Sequence, residues 1–392
     1  MKKTVLILGA GFGGLELAAQ LSDTLADLHV ILIDHNDGFT FGFFSKLDVL
    51  FTNRTPPEDV RIPYAELTRP GVEFRQERIT SIDPATRRVV TDQSDYQPDF
   101  LVIALGADYE PEATPPGFTE DGYDFYTVDG AARLRDRLAE FTSGTIVLGV
   151  LSVPPFKCPP APYEAVLLLH AHLVERGGIR DAVTIKVISP PMPSPIPVSP
   201  ETSEALITAM AERCIIYRPE TKIHSLDPNQ HLAHTDTDTE PYDLFIGIPP
   251  KHRVPPDVID ASGLTAGGND GWIAVDPPAT LATKHAGVYA IGDCADAPVP
   301  PRAGFTPKTL PAPLPPTSPH SCTGHHLPPS IPGAGGSATS SSAMDGSVRS
   351  TPTSSPGPNP PPPFIGPSTD LADEKAEFAV TRRHRWFGRS AS

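Results

Sequence analysis

"TVLILGAGFGGLELAAQL", Thr4 to Leu21, decides how the rest of this chain is read. Thr4–Leu8 is a short apolar run of the kind that forms a central parallel strand covered on both faces. It ends in Gly9-Ala10-Gly11-Phe12-Gly13-Gly14, spaced G-x-G-x-x-G, and a helical pattern follows from Leu15 to about Leu25. In that spacing Gly9 permits a tight turn, Gly11 lets the backbone approach a pyrophosphate, and Gly14 lets helix and strand pack closely. The phosphate then sits on the helix N-terminus. A second strand, His29 to Ile33, leads into Asp34, 20 residues after Gly14, whose carboxylate can take both hydroxyls of an adenosine ribose. Strand, glycines, helix and acid together predict a dinucleotide site.

The 392 residues leave room for two or three domains and a large core. A formal net charge of −16 argues against nucleic acid as a partner, because phosphate binding needs clustered Lys and Arg. No apolar run approaches the roughly 18 residues of a membrane span. Met1-Lys2-Lys3 runs straight into the first strand without a small-residue cleavage site, so it does not read as a signal peptide. Cys158, Cys214, Cys294 and Cys322 are too few and too scattered for a disulfide framework, which points to a reducing, cytoplasmic setting. Cys214 reads as core and Cys294 as a tolerated small residue. No metal site is read from the chain.

Two further apolar runs end in glycine. Phe100 to Leu105 runs into Gly106, and Gly287 to Ile291 runs into Gly292-Asp293. Together with Gly9–Gly14 these resemble the three FAD motifs of the two-dinucleotide flavoproteins, the pyridine nucleotide–disulfide oxidoreductase superfamily. The resemblance implies FAD as cofactor, Gly292 and Asp293 at the flavin ribityl chain, and a domain crossover at Ala104–Gly106. It implies an α/β fold of two Rossmann-like domains.

In nicotinamide-using members a second glycine fingerprint follows the strand Thr145–Val150. Here the turn reads "LSVPPFKCPP", Leu151 to Pro160, with no glycine. A pyrophosphate needs free backbone N–H groups, and proline has none. The next strand, Val183 to Ile188, ends in Ser189-Pro190-Pro191 rather than in an acid. The second Rossmann unit is therefore degenerate, and Cys158 takes the place of its phosphate loop. Cys158 precedes a helix pattern, Tyr163 to Val174, closed by Gly177-Gly178, with Pro162 suited to its first turn. The helix N-terminus and neighbouring Lys157 both favour a thiolate. Glu164 in the first turn is placed to relay protons, or only to complement the helix dipole. His170 and His172 read as packing or surface residues.

"KCPPAPYE" (Lys157–Glu164) resembles the redox-cysteine turn of sulfide:quinone oxidoreductases and of the flavoprotein subunit of flavocytochrome c sulfide dehydrogenase. "FGFFSKLDVLF", "VISPPMPSPIPVSPE", "YDLFIGIPP", "GWIAVDP" and "PRAGF" are similar to that group too, and the likeness returns at Gly366 to Gly388. It implies that the cysteine captures sulfide sulfur as a persulfide, that two electrons pass to FAD, and that a quinone or cytochrome is then reduced. The expected organisation is an FAD-binding part over 1–110 and 251–305, the degenerate domain over 111–250, a Pro/Ser-rich region over 306–363, and a tail over 364–392. Two rivals stay open: an NAD(P)H-dependent flavin oxidoreductase, and an inactive flavin-binding or interaction protein.

Much of the chain's proline, 49 residues in all, falls after Pro298, and by composition 306–363 reads as disordered or poorly packed. A proline-rich linker offering P-x-x-P ligands is one reading. A shifted reading frame is the other. Joining the third base of each codon to the first two of the next permits Cys-Tyr-Ile-Glu-Phe-Gly-Asp-Gly-Arg over Ala338–Gly346 and Asp-Ile-Ala-Ala-Gln-Leu-His-Gly over Thr317–Gly324. The first string resembles the family's second-cysteine strand, with the cysteine at Ala338. Coding DNA that does not spell these residues in the shifted frame rules the idea out. As written the chain lacks that partner, and Cys322 stands in the wrong context. The tail, Arg382 to Arg389, is basic and aromatic, which suits peripheral contact with an anionic membrane surface or a solvated helix end.

Overall fold

A computed structural model describes residues 2–24, 27–51, 56–109, 113–151, 158, 161–191, 200–248, 252–265, 271–276, 280–296, 338–341, 347–350, 365–368, 377 and 380–388. The labelled elements, in chain order, are β1 (Lys3–Leu8), α1 (Phe12–Thr24), β2 (Leu28–Asp34), α2 (Gly42–Phe51), β3 (Val72–Gln76), β4 (Phe100–Ile103), β5 (Gly122–Tyr123), α3 (Val128–Glu140), β6 (Gly144–Val150), α4 (Ala161–Glu175), β7 (Val183–Ile188), α5 (Pro200–Glu212), β8 (Ile215–Arg218), β9 (Leu244–Ile248) and β10 (Val288–Ala290).

Two five-stranded parallel sheets carry the molecule. The first runs β10-β4-β1-β2-β3 and the second β5-β9-β6-β7-β8. Four strands share one order in both, a central strand with its two successors on one side and a later strand on the other; the fifth, at the edge, comes last in the chain in the first sheet (β10) and first in the second (β5). Each sheet is also followed by the same device. The antiparallel meander Ile79–Asp83, Arg88–Thr91, Asp95–Tyr96 precedes β4, and Ile223–Asp227, Leu232–Thr235, Thr239–Pro241 precedes β9. The expected pair of Rossmann-like units is what the sheets form.

Central strands covered on both faces have no polar side to show, which is why β1 and β6 are unbroken apolar runs. Val5 to Leu8 are fully buried, and so are Ile146 to Val150. The helices complete the layers. α3 turns Leu134 and Leu138 into the second core, and its N-cap Thr127 accepts from the Gly130 N–H. α4 is not amphipathic: Ala161 to Leu169, Ala171 and Leu173 are all buried. The reason is α2. It lies in the first half of the chain, yet Leu47, Val49, Leu50 and Phe51 enter the second core, against α3 and α4. α4 is thus enclosed between its own sheet and a helix from the other unit.

His170 and His172 sit in this packing. Arg180 donates to His170 Nδ1 at 2.9 Å. Burial and the charges of Arg180 and Arg213 lower the His170 pKa to about 4. Cys214 is not core, as the sequence suggested. It is exposed and left-handed (φ 53°), turning the chain from α5 into β8. Short antiparallel strands occur at Ala338–Ser341, Ser347–Ser350 and Ile365–Ser368, the first lying against α4. The rest of 306–363, with Cys322, is outside the described residues. No helix among the described residues is long and apolar enough to cross a membrane.

The tail corrects a sequence expectation. Residues 380–387 are helical, and Trp386 and Phe387 are 2% and 1% exposed in the first core. The aromatic side chains offered above to a membrane are inside the protein, and Arg382 and Arg385 are bound to Glu16.

Two outcomes follow from the packing. Leu134→Ala empties a fully buried site and should lower the unfolding free energy by about 2–5 kcal/mol in urea titration; an unchanged midpoint contradicts the core described. His170 titrates near its ordinary 6.5 when unfolded and at about 4 when folded. Its folded pKa is the lower, so protons bind the unfolded chain first and stability falls as pH drops from about 6.5 toward 4. His170→Gln should flatten that slope when stability at pH 7 and pH 5 is compared.

Candidate active site

β10, β4 and β1 are neighbours whose C-terminal ends stand level: Leu8 is opposite Ile103, and Ile103 opposite Ala290. The ladder continues into the turns. Ala104 N–H donates to Leu8 C=O (2.7 Å), Ile291 N–H to Ile103 C=O (2.9 Å) and Gly9 N–H to Ile33 C=O (2.7 Å). Gly9–Gly14, Ala104–Gly106 and Gly292-Asp293 therefore leave one sheet edge side by side.

Their glycines do two kinds of work. A Cβ on Gly9 (φ 100°) would stand 2.4 Å from the Ala104 oxygen, and one on Gly14 would stand 1.9 Å from the Gly9 oxygen. These two glycines let backbone touch backbone. Gly11, Gly106 and Gly292 are different. A Cβ on any of them meets nothing within 4 Å, so all three border open space over the same edge. That cradle, floored by backbone and headed by the N-terminus of α1, fits a dinucleotide's phosphates.

Ala10 is held at both ends. Asp34 Oδ2 accepts its N–H at 2.8 Å, and Tyr64 donates its hydroxyl to its C=O at 2.7 Å. The other Asp34 oxygen accepts from the backbone and side chain of Asn36. Asp34 thus braces the loop as well as standing where a ribose-binding acid is expected. Asp293 is half-buried on the short 3-10 turn Gly292–Cys294. Beneath it the Cys294 thiol donates to the Ile103 and Ile291 carbonyls, and burial pushes its pKa up to about 11. It is an inert buried group.

The equivalent edge of the second sheet is built otherwise. Ser189, at the place of Asp34, is buried, and Tyr163 Oη lies 3.4 Å from its Oγ. Tyr163 is fully buried and meets the Tyr217 ring edge-on at 6.1 Å. Tyr163, Tyr217 and Ser189 thus stand together at the end of β7, and Ser189 offers no carboxylate to a ribose. Cys158 is half-buried against the core cluster that holds Tyr126 and Tyr163. Its backbone is left-handed (φ 51°), uncommon for a residue with a side chain, and its C=O accepts from Ala161 N–H at 2.9 Å as α4 begins. Tyr126 lies near enough that burial and the Cys158 charge together raise its phenol. Glu164 is buried in the first turn of α4. Lys157 lies outside the described residues. Cys158 and Glu164 thus share one helix start. Among the described residues no three His, Cys, Asp or Glu gather as a metal site.

Sequence reasoning missed Glu16, Tyr64 and Trp386. Glu16 carried one signal, an acid in the apolar stretch after the glycines. Its partners lie 366 to 370 residues away, beyond any local pattern.

A parallel doubly wound pair with a glycine cradle on the first sheet defines a two-dinucleotide-binding fold. Residues 3–150 match the model of the pyridine nucleotide-disulphide oxidoreductase family, and the chain is similar to sulfide-quinone reductases. It is 32% identical to the sulfide-quinone reductase of Aquifex aeolicus over 45% of this chain and 41% of that protein. It is 34% identical to demethylphylloquinone reductase NdbB of Synechocystis over 34% of this chain and 35% of that one. The chain thus matches less than half the length of these relatives. In fold, it superposes on the X-ray structure of the Aquifex aeolicus sulfide:quinone oxidoreductase with a TM-score of 0.77, covering 99% of this chain and 93% of that one at 20% identity. These matches imply a flavin cofactor.

The two glycine roles separate by substitution. Gly11→Ala should leave apo-protein stability within about 0.5 kcal/mol yet weaken flavin binding, because its Cβ enters the open cradle. Gly14→Ala should destabilise the apo-protein itself. Melting curves of flavin-free protein beside fluorescence titration with flavin check both; equal behaviour of the two variants contradicts the assignment.

Proposed function

We propose that this chain is an FAD-dependent oxidoreductase that oxidises sulfide, or a related thiol or persulfide, at Cys158, with a quinone or cytochrome as final acceptor. The observation that carries the reading is the exchange at the second sheet. The unit repeats the order of four of the first sheet's strands, but a left-handed cysteine stands in place of the phosphate loop and a buried Tyr163–Ser189 contact in place of the ribose acid.

Gly9, Gly11 and Gly14 with the start of α1 would hold the FAD pyrophosphate, Asp34 the ribose, and Gly292 with Asp293 the ribityl chain, beside the Ala104–Gly106 turn. FAD, when bound, supplies a two-electron acceptor that hands the pair on. The chain supplies the sulfur chemistry. The Cys158 thiolate and hydrosulfide form one S–S bond, Cys–S⁻ + HS⁻ → Cys–S–S⁻ + H⁺ + 2e⁻. The helix start of α4 and Lys157 favour the thiolate, and Glu164 takes the proton. Quinone as acceptor suits a peripheral position at the inner membrane face, facing the cytoplasm.

The NdbB relative favours a second reading, a quinone reductase; with NAD(P)H as its donor, the proline-rich, glycine-free turn Leu151–Pro160 argues against it. A third, an inactive flavin-binding protein, follows if 306–363 is out of frame. Anaerobic sulfide should bleach the flavin of the purified protein and fail to bleach Cys158→Ser. Bleaching by NADH instead supports the second reading, and a flavin that neither reduces supports the third.

A further inference from the structure

The helical residues 380–387 do more than close the first core. Glu16, on the second turn of α1, is buried, and both its oxygens are used. Oε2 accepts from Trp386 Nε1 (2.7 Å) and Arg382 Nη1 (2.9 Å), and Oε1 accepts from Arg385 Nε (2.9 Å) and Gln20 Nε2 (3.1 Å). Burial alone would raise this carboxyl; the bonds from Trp386 and Gln20 and the charges of Arg385 and Arg382 hold it below its ordinary value.

From this anchor two paths reach the glycine loop. The Trp386 ring meets Phe12, inside the loop, edge-on at 5.3 Å, and also meets Phe39 at 5.4 Å and Phe41 at 5.8 Å. The Phe387 ring stacks on Tyr64 at 6.4 Å, with planes 6° apart, and Tyr64 donates to the Ala10 carbonyl. Its own carbonyl accepts from the backbone and side chain of Thr68. Phe12 and Ala10 flank Gly11, which borders the open cradle.

We propose that Trp386, Phe387 and Glu16 are positioning residues for flavin: the C-terminal helix sets the loop that receives the pyrophosphate. The proposal rests on the flavin reading above. Its cause is preorganisation. A loop held on both sides in the free protein loses less freedom on binding.

The test is flavin affinity of the full chain, stripped of flavin and titrated by fluorescence, with apo-protein melting in parallel. Tyr64→Phe keeps the ring stack and removes only the bond to Ala10. Trp386→Phe keeps a ring and removes the donor to Glu16. Both should weaken flavin binding about tenfold at a temperature where the apo-protein is folded, and Trp386→Ala by more. Leu134→Ala, in the second core, gives a control of comparable or greater instability and should stay within twofold of the parent. Arg383→Ala, which breaks the exposed ion pair to Glu66, should also stay within twofold. Should Trp386→Ala not fold, Tyr64→Phe and Trp386→Phe decide. Parent-like affinity in both overturns the proposal, and so does equal weakening by Leu134→Ala. A parent chain that binds no flavin at all instead overturns the functional reading.

Discussion

Two contacts between backbones carry the first half of this protein: Gly14 against the Gly9 carbonyl, and Gly9 against the Ala104 carbonyl. Neither tolerates a side chain. Together they bring the start of α1 down onto β1 and bring the β4 turn alongside it. The cradle bordered by Gly11, Gly106 and Gly292 exists because those approaches are made. Asp34 and Tyr64 then hold Ala10 from opposite sides.

The second sheet shows what remains when that constraint is lifted. Four of its strands keep the same order, and so does the meander before its late strand, but no glycine pair draws helix and strand together. The corresponding space holds Tyr163, Ser189 and Tyr217. Cys158 occupies a left-handed turn that would suit glycine, and it still carries a side chain. A fold can keep its frame while one of its sites changes chemistry. Here the change is legible in single residues, a serine for an acid and a cysteine for glycines.

The parts of the fold readable in the sequence are those written locally. β1, α1, β2 and the three glycine turns declare themselves by apolar runs and spacing. So does the loss of the second phosphate loop, because proline has no N–H to offer. The misreadings involve contacts between distant residues. The tail looked basic and solvated because nothing near it in sequence shows that Glu16 awaits Arg382, Arg385 and Trp386. Helix α4 is buried on most of its sides, because α2 packs against it as well as its own sheet. Cys214 stands in an apolar neighbourhood yet forms the exposed turn between α5 and β8, where backbone conformation outweighs hydropathy.

The docking of 380–387 on α1 has a genetic consequence. The chain between Asp296 and Val380 is pinned at both ends by folded structure. The first core depends on translation being in register when it reaches Arg382, because Arg382, Arg385 and Trp386 all bond Glu16. A shift of frame not compensated before that point would strip Glu16 of these partners and leave a buried carboxylate without its cations.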